Sequence, residues 1–307
     1  SYILTGSEAM FKFHMDEPFL MERIPSAILL GIACGLVSLY FTRAMNSVEN
    51  VFRRYNNPYV KLTIGGIMLS VLIFLFPPLY GEGYDTINLL LNGVSNQDWD
   101  TVMNNSIFYG YGGLLLVYLA LIVLFKVFAS SATNGGGGCG IFAPSLFLGC
   151  ITGFIFAHFC NEFHLGPYIP EKNFALLGMA GLMSGVMHAP LTGIFLIAEL
   201  TGGYDLFLPL MMVSVSSYLT IMVFEPHSIY SMRLAKKGEL LTHHKDKAVL
   251  TLMNIESVVE TDFEKVRPDM DLGEMVKVIS QAKRNLFPVV DVNGELLGIV
   301  ALDDIRN

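Results

Sequence analysis

Formal charge is scarce in most of this chain. Only 15% of its 307 residues are Asp, Glu, Lys or Arg, whereas soluble domains contain about 25%. Of the 46 formal charges, 24 lie in residues 233–307, so the first 232 residues hold only 22. Because 53% of all residues are hydrophobic, this distribution excludes an ordinary soluble fold for the first part. It predicts a membrane domain followed by a soluble tail.

Other absences exclude further classes of protein. No basic stripe indicates a nucleic-acid partner, and no paired carboxylates or Ser/His arrangement indicate an intramembrane enzyme, so we expect no catalytic residues. The cysteines lack the spacing of a zinc site or a disulfide framework and are interpreted as small buried side chains; they are Cys34, Cys139, Cys150 and Cys160. Near the fourth cysteine only His158 and Glu162 share a helix face, so we expect neither a metal nor a cofactor.

Charge-free windows predict the membrane spans, because about 18 apolar residues are enough to cross a bilayer. The windows are 25–42, 62–81, 105–125, 127–161, 174–198 and 206–224. A glycine loop breaks the fourth window, and His188-Ala-Pro190 divides the fifth into helices 174–187 and 191–201. Seven crossings result, some of them short or tilted.

The charges between the windows predict the orientation. Arg53, Arg54 and Lys61 flank the first connection, Lys126 lies near the third, and five basic residues follow the last span. The connection 82–104 has four acids and no base. The excess of basic residues on cytoplasmic loops therefore predicts that the C-terminal tail lies in the cytoplasm.

The stretch Gly140-Ile-Phe-Ala-Pro144 is the strongest functional signal. It follows the loop 134–139, within 35 residues that carry no formal charge. Broken backbone at membrane depth is tolerated only where it lines a cavity or is buried in protein. A helix that begins there points free N–H groups and a partial positive charge into that cavity, which predicts an anion site. A flexible loop and a dinucleotide fingerprint are the alternatives, but the fingerprint requires a preceding strand.

The charged tail predicts a small β/α module. Two strands, 286–291 and 296–301, flank an Asn-Gly turn, which is a strong hairpin signal. A helix is predicted at 272–283, and Asp303-Asp304 begins another.

Together these features resemble the CLC family of chloride channels and chloride/proton antiporters, with a CBS domain attached. The stretch 140–144 matches the G-x-F-x-P motif of that family, and Ala189-Pro-Leu-Thr-Gly193, continuing to Glu199-Leu-Thr201, matches a further typical stretch. The resemblance implies an all-α polytopic membrane domain, the second inverted repeat of the family, followed by a partial cytosolic α/β CBS module. The implied boundaries are a connecting segment at 1–24, the membrane domain at 25–240, a linker at 241–250 and the CBS module at 251–307.

The resemblance also implies a site. The backbone N–H groups of Ile141 and Phe142 would hold chloride, with Gly140, Ala143 and Pro144 shaping the loop and the helix start. Tyr230 lies where the family has its pore tyrosine, and its hydroxyl would donate a further hydrogen bond. Taken alone, Tyr230 is instead typical of an interfacial aromatic belt.

The expected partners are chloride, protons if the protein is an antiporter, the lipid of a cell membrane, and a second copy of the chain. We expect that homodimer to form through helices 191–201 and 206–224.

Several alternatives stay open. The glutamates that separate antiporters from channels, and the serine donor, lie in the first half of the family's membrane domain, which we expect to precede Ser1. Glu199 either caps a helix break or has a functional role. Gly298 and Asp304 fit a nucleotide-binding CBS motif, although Ala301 replaces its hydroxyl residue. A non-conducting, membrane-tethered sensor of adenosine nucleotides is therefore the alternative function.

Overall fold

The computed structural model describes residues 18–93, 95–104, 106, 108–109, 112–136, 140–201, 204–232, 259 and 263–306. The chain divides into two compact units, Ser1–Lys236 and Lys237–Asn307. The first unit is helical and the second contains a two-stranded sheet. The predicted linker 241–250 lies outside the described residues.

The first unit contains nine α-helices within its described residues. They are α1 Ile24–Arg53, α2 Pro58–Leu75, α3 Tyr84–Asn92, α4 Asn96–Asp100, α5 Leu115–Gly136, α6 Phe142–Glu162, α7 Glu171–Met187, α8 Pro190–Thr201 and α9 Phe207–Phe224. Short 3-10 turns lie at Met21–Arg23, Pro77–Leu79, Thr101–Met103 and Gly112–Leu114.

Five helical segments are long and apolar enough to cross a membrane, among the residues that are described. They are Met21–Arg53, Pro58–Leu75, Leu115–Asn134, Phe142–Glu162 and Phe207–Met232. Helices α7 and α8 are shorter, and the predicted break between them is confirmed. His188 adopts a left-handed conformation with φ of 56°, and Pro190, which has no N–H, begins the next helix.

The predicted third span is wrong at both ends. Helix α5 begins at Leu115 rather than near 105, and it continues through Lys126 to Gly136. Lysine is a good helix former, and the ammonium group of Lys126 is accommodated by the backbone carbonyl oxygens of Leu79 and Gly81. Gly135 and Gly136 are helical, so the predicted loop starts later than Asn134, and residues 137–139 are outside the described chain.

Helix α7 lies at the centre of the membrane unit. It packs against α6, α1, α9 and α8, and 15 of its 17 residues are buried. Small residues allow this: a Cβ on Gly149 would lie 2.5 Å from the carbonyl oxygen of Gly178, and a Cβ on Gly153 would overlap the backbone of Phe174. Close backbone approach through glycine is a common way for membrane helices to associate.

The second unit confirms the predicted hairpin. Strands β1 Leu286–Val290 and β2 Leu296–Ala301 pair antiparallel, with Leu286 opposite Ala301. They are joined by a turn in which Gly294 has φ of 86°. Helix α10 Leu272–Gln281 precedes them and α11 Leu302–Arg306 follows. The side chain of Asp271 caps α10 by accepting a hydrogen bond from the N–H of Glu274 at 2.7 Å.

Candidate anion site

Of the two backbone N–H groups that the sequence predicts as anion ligands, that of Phe142 begins α6 and that of Ile141 lies just before it. Ile141 is the N-cap residue, with φ of −93° and ψ of −4°, and its side chain makes no capping hydrogen bond. The N–H groups of Phe142 and Ala143 therefore have no intrahelical acceptor, and Pro144 has no N–H. The Ser145 hydroxyl donates to the Phe142 carbonyl oxygen at 2.7 Å, so it does not cap these amides. The start of α6 is consequently a partial positive pole.

This helix start lines a cavity of about 550 Å³. Three other parts of the chain form its remaining walls: α2, the segment that follows α2, and the second half of α5. The lining residues are Leu69, Ile73, Leu79, Tyr80, Gly81, Glu82, Tyr84, Lys126, Ala129, Ser130, Thr133, Gly140, Phe142, Ala143 and Pro144. Hydroxyl groups, the Glu82 carboxylate and the Lys126 ammonium group thus share the cavity with the residues of the helix start.

The structure brings most of the predicted loop residues together. Gly140, Phe142, Ala143 and Pro144 all line the cavity, and Phe142 is 39% exposed. Ile141 is 2% exposed and packs behind the cavity wall, in the hydrophobic core. The ligand roles of Ile141 and Phe142 stay predictions.

Tyr230 is the predicted site residue that belongs to the end of the last long helix. It is in the helical turn that follows α9, where the N–H of Ser231 donates to the hydroxyl of Ser228 at 3.2 Å. Tyr230 is 46% exposed and does not line the cavity. Its place in the anion pathway therefore stays a prediction.

Lys126 is the cavity residue that the sequence analysis missed. We expected it near a loop, but its side chain is 2% exposed and lies within α5. Its Nζ donates to the carbonyl oxygens of Leu79 at 3.1 Å and Gly81 at 2.9 Å. A lysine in the middle of a long apolar stretch was the available signal, because ionisable residues inside membrane segments are usually functional.

The polar residues at 158–164 belong to a different arrangement. His158 Nδ1 lies 3.7 Å from Glu171 Oε1, and Asn161 Nδ2 donates to the same oxygen at 2.7 Å. In the described part of the chain, no group of three or more His, Cys, Asp or Glu residues could hold a metal ion.

Asp304 of the predicted nucleotide motif has a structural role. Its Oδ2 accepts a hydrogen bond from the N–H of Ala301 at 3.0 Å, which joins the end of β2 to α11. Gly298 lies in β2 opposite Val289. Nucleotide binding by these two residues stays a prediction.

Comparisons with known proteins fit this architecture. A family model described as voltage gated chloride channel matches residues 1–221, and a CBS domain model matches residues 255–307. An H(+)/Cl(-) exchange transporter ClcA of Vibrio cholerae is 26% identical over 238 residues, which cover 76% of this chain and 47% of the relative. Its namesake from Yersinia pestis is 31% identical over 214 residues, which cover 68% of this chain and 41% of the relative.

Solved structures show the same fold. The crystal structure of a eukaryotic CLC transporter aligns with a TM-score of 0.58 at 21% identity, covering 94% of this chain and 50% of the other. A CLC-type fluoride/proton antiporter gives a TM-score of 0.54 at 19% identity, with coverage of 73% and 49%. The chain spans about half the length of the relatives it matches. The resemblance seen in the sequence is confirmed: this chain belongs to the voltage-gated chloride channel (CLC) family and carries a CBS domain at its carboxyl end.

Proposed function

We propose that this chain forms part of a membrane transporter for chloride or a similar small anion, and that the start of α6 holds the anion. The observation that carries the proposal is the uncapped first turn of α6, whose residues Phe142 and Ala143 line a cavity between membrane-length helices. Peptide N–H groups at a helix start can hold an anion without a full counter-charge. Conduction requires a site that binds weakly enough for the ion to leave.

We infer chloride/proton exchange as the mode of transport, because both relatives above are named H(+)/Cl(-) exchange transporters. A passive chloride channel is the alternative. The Tyr230 hydroxyl would add a donor on the cytoplasmic side, next to the end of the last long helix. The protein would lie in the cell membrane, with its C-terminal tail in the cytoplasm.

A substitution that deletes one backbone donor tests the site. Phe142 is the first residue of α6, a position where proline is tolerated, so Phe142→Pro removes an N–H. Ile141, which has ψ of −4°, must adjust toward the extended ψ that a following proline favours. Phe142→Ala is the matched control, because it also loses the ring but keeps the N–H. We expect Phe142→Pro to weaken chloride binding about tenfold relative to Phe142→Ala, in line with the loss of one hydrogen bond to a charged group.

The measurement is chloride binding by calorimetry and chloride uptake into liposomes, both with the complete gene product. Equal chloride affinity in the two variants would remove the Phe142 amide from the site. Absence of chloride binding and uptake in the wild type would overturn the proposed function itself.

The CBS module is proposed to regulate transport by binding an adenosine nucleotide. Gly298 and Asp304 support this role because they fit the nucleotide-binding CBS motif. Ala301 departs from that motif, since it stands where a hydroxyl residue is expected. The expected result is that ATP, ADP or AMP binds the complete protein and changes its rate of anion uptake. Nucleotide binding without any anion flux would instead favour the membrane-tethered sensor.

A further inference from the structure

Lys126 is a buried ammonium group that the amide site does not explain. It lies near the middle of α5, and its side chain lines the same cavity as Gly140 and Phe142. Placing a formal charge inside a membrane segment is costly and is usually associated with a function. The lysine therefore needs a role beyond helix formation.

The contacts of Lys126 join three parts of the molecule. Its Nζ donates to the carbonyl oxygens of Leu79 and Gly81, which belong to the segment after α2. The same atom lies 4.6 Å from the centre of the Phe147 ring, a distance typical of a cation–π interaction. Phe147 is on α6, five residues after Phe142. One side chain of α5 thus connects the segment at residues 79–81 to the helix whose start lines the cavity.

The segment held by Lys126 lines two cavities. A second cavity, of about 610 Å³, shares Tyr80, Gly81, Glu82 and Tyr84 with the first. The backbone here depends on glycine, since Gly81 has φ of 62° and Gly83 has φ of 83°. A Cβ on Gly83 would also overlap the ring of Phe147. Lys126 therefore holds this shared wall, residues 79–84, against α6.

We propose that Lys126 is a positioning residue for the anion, which fixes the shared wall and places a positive charge in the lining of the cavity. The inference rests on the proposed function. The ammonium group is turned toward carbonyl oxygens and an aromatic face, so it acts on the anion through its field rather than as a direct ligand. A field of this kind raises the local anion concentration while the amide site stays weak enough for release.

Three variants of the complete gene product separate the charge from the packing. Lys126→Met removes the charge and the donors, Lys126→Gln removes the charge but keeps an N–H donor, and Lys126→Arg keeps both. The rate of chloride uptake into liposomes is measured against chloride concentration. We expect both neutral variants to raise the half-saturating chloride concentration by about tenfold, because a unit charge in the cavity lining acts over several ångströms at an effective dielectric constant of about 20. Lys126→Arg should restore most of the difference.

Two control variants lie outside the cavity. Ser131→Ala alters a buried residue of α5 that does not line the cavity, and Lys61→Met removes a positive charge from the first turn of α2. Both should keep the wild-type half-saturating concentration.

Unchanged half-saturation in both neutral variants would overturn the inference, as would an arginine variant as impaired as the methionine variant. If neither neutral variant folds, Lys126 is a structural residue only and the inference is likewise overturned. These results differ from failure of the proposed function, in which the wild type itself would show no saturable chloride uptake.

Discussion

At the scale of single residues, some glycines lie where two helices touch, and others face open space. Gly153 meets the backbone of α7, and a Cβ there would overlap the carbonyl oxygen of Phe174. Gly66 lies in the interior of α2, and a Cβ there would have no neighbour within 4 Å. The same substitution should therefore have opposite effects at the two sites.

Gly153→Ala should destabilise the protein, because backbone atoms on both helices must separate to admit the methyl group. Gly66→Ala should leave stability unchanged or raise it by about 0.5–1 kcal/mol, since alanine is the better residue in a helix interior. Thermal unfolding of the two variants in detergent, followed by size-exclusion chromatography, measures the difference. Equal midpoints for both would show that the α6–α7 contact is not limiting for stability.

At the scale of elements, the hairpin of the second unit is held at its turn by one carboxylate. Asp291 Oδ1 accepts hydrogen bonds from the N–H groups of Asn293 at 2.9 Å and Glu295 at 2.8 Å. These bonds, chiefly the one from Glu295, lower the pKa of Asp291. Because the folded-state pKa is lowered, the carboxylate stabilises the turn above the unfolded-state pKa of about 4 and loses that contribution as the pH falls.

Asp291→Asn should accordingly increase amide hydrogen exchange in the peptide that covers the two strands at pH 7. The exchange rates are corrected for the intrinsic effect of pH. The difference between wild type and variant should be largest above the unfolded-state pKa of about 4 and should shrink below it, as the pH falls through the lowered folded-state pKa of Asp291. A difference that persists unchanged at low pH would show that the charge of Asp291 does not hold the turn.

The sequence predicts a structural feature when the residues that cause it are neighbours in the chain. The hairpin and the break at His188-Ala-Pro190 follow from turn chemistry and from the missing N–H of proline, and both are confirmed. The uncapped start of α6 also follows from local sequence. The burial of Lys126 could not be predicted in this way, because its partners at Leu79 and Gly81 are more than 40 residues away in the chain.

At the scale of the whole molecule, the expected homodimer needs an outward face on α8 and α9. Leu208, Met211, Val215 and Leu219 are exposed along one stripe of α9, and Leu191 and Phe195 are exposed one turn apart on α8. Such a stripe fits either lipid or a second copy of the chain, and we propose the second copy.

Cysteine cross-linking in membranes tests that interface. Leu219→Cys should form a covalent dimer with a short bifunctional reagent, whereas Leu62→Cys on α2 should not. The side chains of Leu219 and Leu62 are matched in exposure, at 59% and 61%. A difference in cross-linking therefore cannot come from access of the reagent. The wild type, which retains Cys160, provides the background. Dimers from Leu62→Cys alone would move the interface to α2.

The contrast between α7 and α2 has a practical consequence for modifying this protein. Helix α7 has 15 buried residues of 17, whereas α2 has only two buried residues, Gly65 and Leu72, of 18. A larger apolar side chain at a buried position of α7 has no space to occupy, so these positions admit only residues of similar or smaller size. The open side of α2 can accept a fluorophore or a spin label without disturbing its neighbours in this chain, which makes it the place from which conformational changes are best observed.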